Sequence, residues 1–426
     1  MWKALQVQRM SNIIRSIKGT HDILPEDSKK WQQLESTIRK ITHQFGYEEI
    51  RTPIFEKTGL FSRSVGEDTD IVSKEMYSWE DRDNTSLTLR PELTAPVVRS
   101  FIQHNLGGLS PLQRLFYIGP LFRRERPQKG RQRQFHQYGI EAFGSPHPEQ
   151  DTEVISLAYS LLTQLGLTNL NLKLNSIGSP ECRAQYRNAL QDYFRPFLNE
   201  LSETSQKRFE NNPLRILDTK VPHEIDIIKN APSITDFLTY EDQAHFNSVQ
   251  SFLNQLNIPF TCDPTMVRGL DYYTRTTFEI TSSALGAQDA LLGGGRYDKL
   301  VETLGGKATP AIGFAAGMER ILLALEAETP FESYDSTDIY MVCLDESVLS
   351  VSIDLANQLR QAGKSVKMET LRRSMKAQMR EANRSGATYA FILGENEIQN
   401  QTVVIKKLKK GNQETVLQTE ILEKLK

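Results

Sequence analysis

The sequence predicts an α+β body interrupted by a helical insertion and followed by a smaller α/β domain. Three observations predict it. Two strand-like runs, IGPLFRR and QFHQYGIEAF, flank a loop holding Pro127 and Gly130, the pattern of a hairpin with a long tip. From Ser179 to about Phe252 the strand signal fades and the segments become helical and charge-rich. From Asp338 onward short strands and helices alternate.

Composition narrows the class. A chain of 426 residues has room for two or three domains and a large core. A net charge of −2 argues against a wholesale basic protein, so any nucleic-acid contact must use local patches. The three cysteines, Cys182, Cys262 and Cys343, are far apart and form no CxxC pair. Neither a disulfide framework nor a zinc site is expected, and a reducing cytoplasm fits. The seven histidines lack ligand spacing, so no metal site is expected on the protein. No apolar run approaches membrane-spanning length, and the N-terminus has no hydrophobic signal core.

Taken in order, residues 1–9 show no periodic pattern, and Met10 offers a second start. An amphipathic helix is expected from about Pro25 to Phe45, with Trp31, Leu34, Ile38 and Ile41 on one face and Gly46 as its stop. YEEIRTPIFE reads as a strand. Its Pro53 cannot donate to a ladder, so the strand belongs at an edge or interface. SLTLRPELTAPVVRSFIQHN reads as a strand passing through RPELT into a helix. Glu92 and Thr94 fall at that junction, where unpaired backbone N–H groups gather. Two readings stand: Thr94 caps the helix, or Glu92 and Thr94 together face a ligand.

The hairpin tip carries Arg123, Arg124, Arg126, Lys129, Arg131 and Arg133 against one acid, Glu125. On its second strand the side chains alternate, so Gln137, Gly139 and Glu141 share a face. The glycine leaves room there for a small polar ligand between an amide and a carboxylate. The alternative is a solvated basic hairpin.

Residues 151–165 read as a helix and NLNLKLNSIG as a strand. After the insertion, RGLDYY leads into a strand, placing Arg268 beside Tyr272 and Tyr273. That pairing supplies a fixed charge and a flat wall, although a tyrosine pair in a strand also suits a core. LLGGGRYDKL brings Gly293, Gly294 and Gly295 together, where backbone approaches something closely or turns. TLGGKAT fails the spacing of a phosphate-binding P-loop. AIGFAAGMERILLALE reads as a small-residue strand opening a helix, with Arg320 at the positive end of the helix dipole. The expected boundaries are 1–9 (unmatched), 10–178 and 253–328 (body), 179–252 (insertion), 329–337 (linker) and 338–426 (tail domain). The tail carries +3 and the remainder −5, compatible with RNA binding by the tail.

These segments together resemble a known family. GYEEIRTPIFE resembles motif 1 of the class II aminoacyl-tRNA synthetases, which carries a proline at the dimer interface. FRRERPQKGRQRQFHQYGIE is similar to motif 2, and GFAAGMERILL to motif 3. RGLDYY and GGGRYD resemble two segments specific to the histidine enzymes of that class. The likeness runs in order over about residues 11–426. One departure is Leu93, where many bacterial relatives have glycine; Glu92 and Thr94 are retained.

The resemblance implies an antiparallel six-stranded sheet with flanking helices, a homodimer, and an anticodon-binding domain at the C-terminus. It implies that L-histidine and ATP form histidyl-adenylate and pyrophosphate, and that the histidyl group then moves to tRNA-His. Arg123 would contact the α-phosphate and Arg268 would stabilise it from the other side, a role often given to a metal. Arg131 and Arg320 would hold the remaining phosphates, with Mg²⁺ bridging them. A neutral imidazole offers one donor, one acceptor and a flat ring. Glu141 would accept from the ring, Tyr272, Tyr273 and Tyr297 would line it, and Arg268 would also touch the amino acid. Glu92, Thr94 and Gln137 would bind the ammonium end, and Arg126 and Gln128 would meet the tRNA acceptor end. The alternative is a non-catalytic relative, the regulatory subunit of ATP phosphoribosyltransferase. Such proteins usually lack the tail domain and have eroded motifs, whereas Arg123, Arg268, Arg320 and the tail are all present here.

Overall fold

The structure is a computed structural model and describes residues 14–66, 69–128, 130–219, 221–266, 272–286, 290–328 and 337–425. It divides into two units, Met1–Phe331 and Glu332–Lys426.

In the first unit, helix α1 spans Pro25–Gln44, with proline and two acids in its first turn. Gly46 follows it at φ +75°, and Leu34, Ile38 and Ile41 are fully buried. The single strand expected over YEEIRTPIFE is in fact two. Strand β1 (Glu48–Glu49) pairs with the edge of the main sheet. The chain then leaves that sheet, and β2 (Phe55–Lys57) joins β3 (Tyr77–Glu80) and β4 (Ser86–Leu89) in a separate three-stranded sheet. Pro53 lies between β1 and β2, where its missing N–H costs no ladder bond.

Helix α2 is Thr94–Gln103. The hairpin is β5 (Gln113–Phe122) with β6 (Gln134–Phe143), in register from Gln113↔Phe143 to Phe122↔Gln134. Helix α3 (Pro148–Gln164) and β7 (Leu170–Ser176) lead to the insertion. The insertion opens with α4 (Pro180–Phe194) and closes with α5 (Tyr240–Gln255). Then come β8 (Thr261–Cys262), β9 (Thr274–Ser282), β10 (Ala290–Arg296), β11 (Ala311–Gly317) and α6 (Met318–Glu328).

The main sheet runs β1-β5-β6-β11-β10-β9-β7-β8. Its six central strands are antiparallel. The two extra members are two-residue parallel strands at the edges. One face is covered by helices: Leu34 and Ile38 of α1, Ile155 and Leu161 of α3, Phe246 and Val249 of α5, and Ile321 of α6 pack onto Tyr138, Ile140, Phe278 and Phe314. Strand alternation sends Gln137, Gly139 and Glu141 to the other face, where α2 packs Val97, Val98 and Phe101 against Tyr117 and Phe143.

The insertion has a small core of its own, built from Tyr186, Leu190, Phe194, Ile216 and Ile228 among others. Helix α5, although continuous in sequence with it, turns Phe246, Val249 and Leu253 into the main core.

The second unit carries β12 (Ile339–Cys343), α7 (Leu349–Gln361), β13 (Val366–Met368), α8 (Met375–Arg384) and β14 (Tyr389–Leu393). A short helix α9 (Glu395–Gln399), not expected from the sequence, precedes β15 (Thr402–Lys407) and β16 (Gln413–Leu417). The order is β13-β12-β14-β15-β16, with β12, β13 and β14 parallel. Met341, Leu359, Phe391 and Val403 fill its core.

Candidate active site

Glu141 anchors one end of the site and is 1% exposed. Its Oε1 accepts from Thr94 Oγ1 at 2.8 Å and from the Tyr117 hydroxyl at 3.1 Å, while the Tyr297 hydroxyl donates to Oε2. Burial pushes its pKa up to about 8, against the pull of those three hydroxyls. Two glycines make this packing possible. A β-carbon on Gly313 would stand 2.0 Å from Glu141 Oε2, and one on Gly139 would stand 2.3 Å from the Tyr117 hydroxyl. The space at Gly139, expected to admit a ligand, is therefore filled by the Tyr117 phenol.

The junction after β4 differs from the simplest reading too. Glu92, not Thr94, caps α2: its carboxylate accepts from the backbone N–H of Thr94 at 2.7 Å and of Ala95 at 3.0 Å. That leaves the Thr94 hydroxyl to reach Glu141. Burial raises the Glu92 pKa to about 7, opposed by those N–H bonds and by Arg123.

The opposite end is cationic. Arg123 donates from Nε to the Pro91 carbonyl at 2.9 Å and lies over the Phe135 ring, 5.2 Å from its centroid. Arg320, in the first turn of α6, donates to the carbonyls of Gly130 (3.2 Å) and Ala290 (2.9 Å). Arg131 pairs with Glu125 at 3.3 Å. Burial lowers the pKa of Arg123, and burial together with the Arg131 charge lowers that of Arg320. Guanidiniums crowded this way favour an anion among them.

Both ends open on one cavity of about 290 Å³. Glu92, Thr94, Gln137 and Glu141 line it with Tyr272, Tyr273 and Tyr297. Arg123, Arg131 and Arg320 line it at the cationic end. Tyr272 meets Tyr297 edge to face at 5.6 Å and Tyr273 at 4.8 Å. The run of glycines in β10 is a close approach, not a turn: a β-carbon on Gly294 would lie 2.2 Å from the Gly313 carbonyl oxygen. Arg126 and Gln128 are exposed on the hairpin tip and do not line the cavity. Arg268 and Lys129 lie outside the described residues.

The cavity also holds residues given no site role from the sequence, among them Glu125, Phe135 and Glu319. Tyr117 supports it from behind. Its signal was its register partner, Gly139, visible only once β5 and β6 are aligned. Glu319 accepts from the His136 backbone N–H at 2.9 Å and lies 3.0 Å from its Nδ1. Among the described residues no group of three or more His, Cys, Asp or Glu could hold a metal ion.

Comparison with known proteins shows the family. The histidyl-tRNA synthetase family profile matches residues 19–321 and an anticodon-binding-domain profile matches residues 338–426. A histidine–tRNA ligase of Chloroherpeton thalassium is 49% identical over 415 residues, covering 96% of this chain and 97% of the relative. One from Listeria monocytogenes is 50% identical over 412 residues, with the same coverage. Among solved structures, apo histidyl-tRNA synthetase of S. aureus superposes with a TM-score of 0.83 at 38% identity, covering 97% of this chain and 99% of that one. The chain belongs to the histidyl-tRNA synthetase family.

Proposed function

We propose that this chain is a histidine–tRNA ligase, joining L-histidine to tRNA-His through histidyl-adenylate at the expense of ATP. The observation that carries the reading is the polarity of one cavity, with a buried carboxylate held by three hydroxyls at one end and three arginines at the other.

Histidine enters with its ring toward Glu141 and the tyrosines, and its ammonium toward Glu92, Thr94 and Gln137. ATP lies along the arginines. A histidine carboxylate oxygen forms a bond to the α-phosphorus while the bond to the bridging oxygen of pyrophosphate breaks. Arg123, which lines the cavity, meets the charge that develops there, and by resemblance Arg268 meets it from the other side. The protein needs no nucleophile of its own, because the substrate carboxylate is one.

Mg²⁺ arrives with ATP as part of that substrate and offsets phosphate charge; Glu125 and Glu319 are the carboxylates lining the cavity beside the arginines. A hydroxyl of the terminal ribose then attacks the acyl carbon and AMP leaves. Exposed Arg126 and Gln128 meet the acceptor end of the tRNA, and residues 338–426 read its anticodon. Two copies associate through the segment around Pro53, where Ile54 (45% exposed), Phe55 (52%) and Trp79 (40%) leave apolar surface in water. No helix among the described residues is long and apolar enough to cross a membrane, and the cytoplasm, with its tRNA and ATP, is the proposed workplace.

Charging of tRNA-His with labelled histidine tests the reading. A regulatory subunit of ATP phosphoribosyltransferase would bind histidine without charging tRNA, and that result would favour the alternative.

A further inference from the structure

Helix α5 carries two buried polar groups in its first turns that the reaction above does not use. Asp242 (1% exposed) and His245 (8%) stand three residues apart and share a side of the helix. Each leads to a strand beside a pocket tyrosine. Asp242 Oδ1 accepts from Arg275 Nε at 2.8 Å, and Arg275 follows Tyr273 by two residues. His245 Nε2 lies 2.7 Å from Asp151 Oδ2. Asp151 in turn accepts from Arg296, a fully buried arginine immediately before Tyr297. The Arg296 guanidinium is also held by the Ser145 carbonyl at 2.9 Å and by Asp298 at 3.0 Å.

The two strands meet at an irregularity. β9 and β10 pair evenly from Leu292↔Ile280 to Gly295↔Thr277, but Arg296 then pairs with Thr274. The extra residues of β9 bulge out, and Arg275 adopts φ +48°, a backbone that a β-carbon disfavours. Three contacts with the approach to the insertion, and with the insertion itself, hold it there. Its N–H donates to the Gly178 carbonyl at 2.9 Å, its carbonyl accepts from Ile177 N–H at 2.8 Å, and its side chain meets Asp242. Arg183 of α4 adds a bond to the Tyr273 carbonyl at 2.5 Å. A bulge re-aims the side chains next to it, and the residues beside this one are Tyr272 and Tyr273, which line the cavity.

We propose that Asp242 and His245 are positioning residues for the amino-acid end of the cavity. Helix α5 fastens the β9 bulge through Arg275 and the end of β10 through Asp151 and Arg296. It thereby sets Tyr273 and Tyr297 against Glu141. This rests on the reading of that end as the histidine pocket. The bonds described for the cationic end run instead from Arg123 to Pro91, from Arg131 to Glu125, and from Arg320 to Gly130 and Ala290.

The test measures KM for histidine and for ATP separately in pyrophosphate exchange by the full chain. Asp242→Asn and His245→Phe should each raise the histidine KM about tenfold, as a small misplacement of a binding group does, with the ATP KM within about twofold of wild type. His245→Gln keeps a donor toward Asp151 and should recover most of the loss. Arg275→Gly keeps the left-handed backbone accessible while removing the guanidinium, so it should match Asp242→Asn, and the double variant should be no worse than either. That set also covers the case in which Asp242→Asn fails to fold. An unchanged histidine KM, an equal rise in both constants, or a His245→Gln variant no better than His245→Phe overturns the positioning role. Absence of histidine-dependent exchange in the wild-type chain overturns instead the reading of the pocket, and this inference with it.

Discussion

At the scale of single residues, the chemistry turns on buried carboxyl groups held by hydroxyls and backbone N–H groups. Among the described residues Glu141 is bound by three hydroxyls and no salt bridge. Glu141→Gln keeps the shape and presents a donor where an acceptor is wanted. The histidine KM should rise roughly 10- to 100-fold, within the ~1–3 kcal/mol of leaving a buried polar partner unsatisfied, with the ATP KM unchanged. An unchanged histidine KM would remove Glu141 from the pocket. Burial also gives the site a pH signature. An unfolded glutamate ionises near 4.5, whereas Glu141 in the fold ionises near about 8 and Glu92 near about 7. Between those values the folded chain holds protons that the unfolded chain releases. The contribution of these two groups to stability is therefore full below about 4.5 and is lost as pH rises through the folded values, with an ideal slope of about 1.4 kcal/mol per pH unit for each proton held. Melting curves of the unliganded protein and of Glu141→Gln from about pH 5.5 to 8.5 should show the wild type losing ground as pH rises; parallel curves would contradict it. Glu92, Thr94, Gln137 and Glu141 were legible because strand alternation and a strand-to-helix junction are local properties. Tyr117 was not, because its contact with Glu141 depends on pairing two strands in register.

At the scale of elements, the hairpin β5–β6 and the glycines facing it form the tightest part of the site. Gly139→Ala would set a β-carbon 2.3 Å from the Tyr117 hydroxyl and 2.6 Å from the Phe314 carbonyl oxygen. It should destabilise the protein by about 1–3 kcal/mol, the usual range for overpacking, and raise the histidine KM by displacing Tyr117. Gly59→Ala is the matched control. Gly59 sits in the helix Thr58–Val65 with nothing within 4 Å of an added β-carbon, so that change should be neutral or stabilising by up to about 1 kcal/mol. Urea titration of the two variants decides it: equal destabilisation would refute the crowding at Gly139. Helix α1, the hairpin, α6 and the alternating tail were legible because each shows strong periodicity between clear stops. The separate three-stranded sheet was not, since its strands are short and its partners come from three places. The end of the insertion was misleading for a related reason. Helix α5 is helical like its predecessors, and only packing shows that its apolar face belongs to the main core.

At the scale of the whole molecule, the two units invite separate tests. Residues 338–426 carry +3 and the rest of the chain −5. Deleting residues 338–426 should leave histidine activation largely intact, because Arg123, Arg268 and Arg320 all lie upstream, while charging of tRNA-His should fall much further. Equal loss of both activities would make the tail a structural part of the active body. The fold class was legible at this scale because composition changes sharply at the insertion and at the linker. The central claim, that one cavity activates histidine with its arginine end facing the phosphates, is tested most directly by pyrophosphate exchange. The full chain is assayed with ATP and each amino acid in turn, beside Arg123→Ala. Exchange should appear with histidine alone and fall about a hundredfold or more in the variant, the usual cost of removing one preorganised charge. Exchange driven equally by another amino acid, or undiminished in Arg123→Ala, would contradict it.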